Sequence, residues 1–175
     1  MKLEEERLID APTDEVWNAI LDAAVLKQCV PGCTEMAGSL ADGLTAVVTQ
    51  KVGPVKATFE GNVTFSDIVQ GQSVKIVGEG KGGVAGFAKG GADVVLVPQD
   101  GKTLLKYKVD ASVGGKLAQL GSRIIDSFAN KMANQFFEKF QTIVEGGEAN
   151  DTAGNSSTPS GGFFAWLMRL FGRKA

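Results

Sequence analysis

Lys116–Glu145, KLAQLGSRIIDSFANKMANQFFEKFQTIVE, is the stretch on which the reading of this 175-residue chain turns. Taken as one helix, it repeats Leu117, Leu120, Ile124, Phe128, Met132, Phe136 and Ile143 at three, four or multiples of those spacings, which fills one broad apolar face. Arg123, Asp126, Asn130, Asn134, Glu138 and Gln141 fall opposite. Gly114-Gly115 end the preceding segment and Gly146-Gly147 stand where a C-cap glycine is expected. At about 1.5 Å per residue such a helix is roughly 45 Å long, enough to lie across a whole sheet. Gln135 interrupts the apolar face among Phe128, Met132 and Phe136. A buried amide needs a partner, whether backbone, water or a ligand.

Working outward, residues 34–113 change to a period of two. Ala57, Phe59, Gly61, Val63 and Phe65 alternate with polar neighbours, and Leu105, Tyr107, Val109, Ala111 and Val113 do the same. Glycine-containing turns at Asp42-Gly43, Gln70-Gly71-Gln72 and Gln99-Asp100-Gly101-Lys102 separate about six strands and predict antiparallel hairpins. Before them, residues 2–10 read as a strand. Pro12-Thr13-Asp14-Glu15 opens a helix to about Asp22 with Val16, Trp17, Ile20 and Leu21 inward, and a second short helix or turn runs from Ala23 to Gln28. The expected fold is α+β: a curved antiparallel sheet of about seven strands wrapping a long C-terminal helix, with two short helices after the first strand.

Composition narrows the chemistry. With 43% hydrophobic and 22% charged residues the chain can bury a core. Residues 1–145 carry 15 Lys+Arg against 18 Asp+Glu, which offers no basic surface of the kind nucleic acid needs. The absence of histidine excludes Ser-His-Asp and Cys-His mechanisms, because the activating base is missing. Cys29 and Cys33 alone cannot supply the roughly four ligands of a structural zinc, so reduced thiols are expected. A small enzyme using carboxylates or lysine in the cavity stays open, but no pair of acids is marked out by an apolar setting, and no catalytic residue and no metal ligand is assigned. Val77-Gly78-Glu79-Gly80-Lys81-Gly82-Gly83 is no phosphate loop, since neither Gly-Lys-Ser/Thr nor a helix follows. Its glycines instead let strands bend and leave volume on the concave face. Phe59, Phe65 and Tyr107 against Ile124, Phe128, Met132 and Phe136 then either fill a core or line an apolar ligand cavity with Gln135 as its polar handle.

Ile9-Asp10-Ala11-Pro12-Thr13-Asp14-Glu15-Val16-Trp17 and the order of elements resemble the START-type helix-grip superfamily, whose members enclose apolar ligands under a long C-terminal helix. Cys29-Val30-Pro31-Gly32-Cys33, Gly53-Pro54-Val55, the glycine-rich strand pair and Val113-Gly114-Gly115-Lys116-Leu117-Ala118-Gln119-Leu120-Gly121 resemble the CoxG family, which accompanies aerobic, molybdenum-containing carbon monoxide dehydrogenase. The likeness covers residues 1–145. It implies a non-catalytic accessory protein that brings the dehydrogenase, or a related molybdenum hydroxylase, to the cytoplasmic membrane. It also implies a bound quinone, menaquinone or ubiquinone, as the electron acceptor; recruitment or assembly without a ligand is the alternative.

Residues 146–162 read as a flexible polar linker. In the tail, 163–175, Phe163, Phe164, Leu167, Leu170 and Phe171 share a helical face, Arg169 and Arg173 lie on another, Trp166 borders both and Lys174 adds a third base. At roughly 18 Å this segment is too short to span a ~30 Å hydrocarbon layer, but it suits an interfacial anchor on the inner face of the membrane. Folding back onto the domain or docking on a partner is the competing reading of the tail, and the linker between tail and core favours the membrane.

Overall fold

The computed structural model describes residues 1–146. The expected linker beyond Gly146 and the expected tail at 163–175 lie outside the described residues. Strand β1 (Lys2–Ile9) is followed by helices α1 (Thr13–Ile20) and α2 (Ala23–Cys29). The Asp22 carboxylate starts α2 by accepting from the backbone N–H groups of Ala24 and Val25 at 2.8 and 3.4 Å. Six strands follow: β2 (Cys33–Ser39), β3 (Gly43–Val52), β4 (Val55–Val69), β5 (Ser73–Lys81), β6 (Phe87–Gln99) and β7 (Lys102–Gly114). They form one antiparallel sheet in the order β1-β7-β6-β5-β4-β3-β2. Bulges near Cys33/Glu35 and Ser66/Val69 help bend it. The glycine-rich segment runs along β5 into a 3₁₀ turn, Gly83–Ala85, and returns as β6.

The long C-terminal element differs from the single helix expected at 116–145. It is a 3₁₀ helix, Gly115–Leu120, followed by α3 (Ser122–Gly146). The break falls at Gly121, whose φ of 90° is outside any right-handed helix. The buried face differs too. Phe137, Phe140 and Val144 are its fully buried residues, whereas Ile124 and Gln135 are exposed. Steps of four residues rotate about 40° per step around a helix of 3.6 residues per turn. A row read by fours, such as 120-124-128-132-136, therefore spirals off the face that three-and-four spacing would hold.

The core gathers at one end of the molecule. Ile9 of β1, Val16, Trp17 and Ile20 of α1, Leu105 and Tyr107 of β7, and Phe137, Phe140 and Val144 of α3 pack together. Trp17, at 3% exposure, is thus a core anchor as its place in the first helix predicts. The Tyr107 and Phe137 rings stack at 4.8 Å. Polar contacts fasten the same half of α3 to β1 and the residue after it: Arg7 Nη2 donates to Asn134 Oδ1 (2.7 Å), Gln141 Nε2 to the Leu8 carbonyl (3.3 Å), and the Asp10 N–H to Glu145 Oε2 (2.9 Å).

Candidate functional site

Toward the start of α3 the concave face of the sheet changes character. Cross-strand register places Ala46, Gly61, Gly80, Ala88 and Val113 in one row, and Val63, Gly78, Gly90 and Ala111 in the next. Two adjacent rows composed mainly of glycine and alanine cannot reach across to the helix above them. Space is left where side chains are missing, which is the volume the glycine content predicts.

That space is a cavity of about 440 Å³, within the usual range for small-molecule sites. Its floor includes Phe59, Ala88, Val109, Ala111 and Val113. Its roof is Ile125, Phe128, Ala129, Met132, Ala133 and Phe136 of α3, with Leu117 from the 3₁₀ helix at one end. Val30, Pro31, Val48, Gln50 and Val52 form the side, and Leu3 and Met1 close it along β1. Among the described residues no Asp, Glu, Lys or Arg side chain lines it. The Met1 ammonium is turned to the Ala111 carbonyl at 2.9 Å.

Phe59, Phe128, Met132 and Phe136 therefore stand where the sequence puts them, in one apolar wall. Phe65 and Tyr107 do not reach it; Phe65 packs against the core and Tyr107 belongs to it. Ile124 is 38% exposed, and its neighbour Ile125 takes the lining position. Gln135 is exposed and away from the cavity, so it is no polar handle. Among the described residues the one polar side chain in the wall is Gln50. Its Nε2 donates to the Pro31 carbonyl, which fixes the amide orientation, since a carbonyl can only accept. The signal in the sequence was a break in the inward set Leu44, Ala46, Val48, Gln50, Val52, an interruption of a strand rather than of the helix.

The Cys29–Cys33 segment gains a role from this arrangement. Gly32 adopts φ 77°, and a Cβ there would sit 2.1 Å from the Thr49 carbonyl oxygen. Only glycine lets the turn lie against β3 and hold Val30 and Pro31 in the cavity wall. Both cysteines are free thiols. Burial pushes the Cys29 thiol up to about 12, opposed by the charge of Lys139.

Between core and cavity lies a small polar cluster. Tyr107 donates its hydroxyl proton to Glu5 Oε1 at 2.8 Å. Arg7 lies 3.6 Å from the same carboxylate oxygen and 5.0 Å from the Phe137 ring centroid. Burial first, then the Glu5 contact, pushes the Tyr107 hydroxyl up to about 12. None of Glu5, Arg7 and Tyr107 lines the cavity, and no group of three or more metal-ligating side chains occurs among the described residues.

A seven-stranded antiparallel sheet gripping a long C-terminal helix over an apolar hollow is the START-like helix-grip architecture. Within that class the chain belongs to the CoxG family of carbon monoxide dehydrogenase subunits, whose profile matches residues 6–145. A conserved protein from Geobacillus kaustophilus is similar at 27% identity and a TM-score of 0.77, over 83% of this chain and 95% of that one. A START superfamily protein from Mycobacterium smegmatis (14% identity, TM-score 0.62, covering 82% and 97%) has the same fold. So does the Zhui aromatase/cyclase from Streptomyces sp. R1128 (12%, 0.62, 83% and 93%). No curated protein sequence matches the chain.

Proposed function

We propose that this protein is a non-catalytic, membrane-tethered accessory of an aerobic molybdenum-containing carbon monoxide dehydrogenase or a related hydroxylase. It binds an isoprenoid quinone or a similar lipid under α3 and recruits the enzyme to the membrane for electron transfer. The observation that carries this reading is the cavity of about 440 Å³ walled by carbon, whose one polar side chain, Gln50, is turned to a backbone carbonyl. Such a wall rewards apolar surface removed from water and offers nothing to a charged substrate.

Family membership supports the enzyme partner. The composition of residues 163–175 supports the anchor, each base near an anionic leaflet adding about 1 kcal/mol. Among the described residues no helix is long and apolar enough to cross a membrane. Two other functions weigh less. Recruitment alone would leave the hollow unexplained, and acid–base catalysis lacks a titratable side chain in the wall.

Native mass spectrometry with solvent extraction, on protein purified from a quinone-containing host, tests the proposal. One quinone per chain is the expected result. A chain that is empty as purified, and still empty after menaquinone and ubiquinone are offered, overturns the carrier role.

A further inference from the structure

Three segments distant in sequence meet at the end of the molecule where α3 begins. The turn between β3 and β4 touches the start of α3, since a Cβ on Gly53 would lie 3.7 Å from Ile124 Cγ2 and 4.0 Å from Leu120 Cδ1. The 3₁₀ turn Gly83–Ala85 packs beside the 3₁₀ helix Gly115–Leu120, with Gly86 against Gly114 and Gly115. Register joins Lys81, Phe87 and Gly114 across three strands.

Two properties coincide there. Val84 is 85% exposed at the tip, with Phe87 at 46% and Ile124 at 38%. Residues 51–56, 81–89 and 115–124 also carry six bases, Lys51, Lys56, Lys81, Lys89, Lys116 and Arg123, and no acid. All six are exposed. Residues 1–145 as a whole have 18 acids and 15 bases, so this tip reverses the sign of its own domain. The register sets Glu60 across from Lys81 and Glu79 across from Lys89, and Asp126 follows Arg123 by three residues, so six bases less three acids leave this end at a net +3. The same segments wall one end of the cavity through Val52 and Leu117, with Ile125 just beyond them.

We propose that this tip is a docking surface for an anionic lipid bilayer, separate from the tail. Val84, Phe87 and Ile124 insert among the headgroups, while the ring of bases meets the anionic phosphates. An apolar tip flanked by lysine and arginine matches the layering of a membrane interface, in which apolar depth lies under a charged plane. An acidic protein surface would satisfy the bases yet leave Val84 without a reason to be bare. Docked this way, the domain presents the end of its cavity to the layer that holds apolar ligands. The inference rests on the folded domain and does not require the tail.

The test uses the full chain carrying Cys33→Ser and either Val84→Cys or Gln99→Cys, labelled with an environment-sensitive fluorophore such as NBD. Gln99 is exposed at the far end of β6, about 40 Å along the strand from Phe87. With vesicles of phosphatidylcholine and phosphatidylglycerol, the probe at 84 is expected to shift to the blue and become shielded from iodide, while the probe at 99 stays in water. Lys116→Gln and Arg123→Gln should each raise the vesicle concentration for half the shift about fivefold. A probe at 84 that ignores the vesicles, or that responds no differently from the probe at 99, overturns the proposal. A full shift with phosphatidylcholine alone overturns it as well, and a response only to the partner enzyme makes the tip a protein interface. Deleting 163–175 in a separate chain tests the tail, so the two membrane contacts can fail independently.

Discussion

The two halves of α3 cover the same sheet and do opposite things to it. From Phe137 onward the helix fills: Phe137, Phe140 and Val144 are buried among Ile9, Trp17, Ile20 and Leu105. Arg7 and Leu8 of β1, and Asp10 just after it, fasten that half with hydrogen bonds to Asn134 at its start, Gln141 and Glu145. From Ser122 to Ala133 the helix roofs a hollow, and no hydrogen bond ties that stretch to the sheet among the described residues. The cause lies mainly in the strands. Opposite the filled half the sheet offers Leu96, Leu105 and Tyr107; opposite the hollow half it offers Gly61, Gly78, Gly80, Gly90, Ala88 and Ala111. One helix can therefore supply both a rigid anchor and a roof held by contacts alone, with the softer end where a ligand would pass.

The largest expected difference between the halves is in aromatic truncation. Phe140→Ala should cost about 3–5 kcal/mol in urea unfolding, because its neighbours cannot close the void. Phe128→Ala removes a ring that already borders empty space, so it should cost only about 1–2 kcal/mol, the transfer term for a half-buried ring, while lowering the lipid recovered with the purified protein. Equal costs for the two, with recovery unchanged, would make the hollow half as solid as the other.

Enlarging side chains sharpens the same contrast. Ala129→Leu places atoms inside the cavity and should raise stability by about 0.5–2 kcal/mol while excluding lipid. Val144→Phe overpacks the filled half and should lower stability by about 1–3 kcal/mol. Melting curves and lipid extraction on the two variants decide it, and a destabilised Ala129→Leu protein that still carries lipid would count against the assigned wall.

The smallest effect concerns the boundary between the halves. Tyr107 is the only tyrosine in the chain, so its tyrosinate absorbance reports one site. Burial and Glu5 raise its pKa from 10.0 to about 12 in the folded state. Folding then holds a proton that the unfolded chain gives up first, so this contribution is complete below pH 10 and is lost as pH rises toward 12. Tyr107→Phe should flatten that part of the stability profile. A tyrosinate signal centred near the ordinary value of about 10 would place the hydroxyl in water.

Local patterns carried much of this structure. Alternation in 56–66 and 105–113 is visible because a sheet with one wet face imposes it on every strand, and Pro12 and the paired glycines mark where elements begin and end. The richness of residues 78–91 in glycine also announces missing volume. What misled was distance along a helix. The row 120-124-128-132-136 took in Ile124 where its neighbour Ile125 lines the cavity, and Gln135, counted to the same face beside Phe136, is exposed. Phe65 and Tyr107 have the right period for the concave face, but period says nothing about which end of the strand lies over the hollow.

The sequence by itself determined the class of fold, the side of each strand that faces inward and the apolar character of the interior, because these follow from the spacing of neighbouring residues. The division of that interior into a solid end and an empty end was decided only by the tertiary structure. It depends on register, which sets Gly61 beside Gly80 and Ala88 and brings Gly53 under Ile124. The meeting of the segments that carry six bases with the turn that carries Val84 was decided the same way. Those bases are scattered over residues 51–123, and only the closure of the sheet onto the helix brings their segments to one surface.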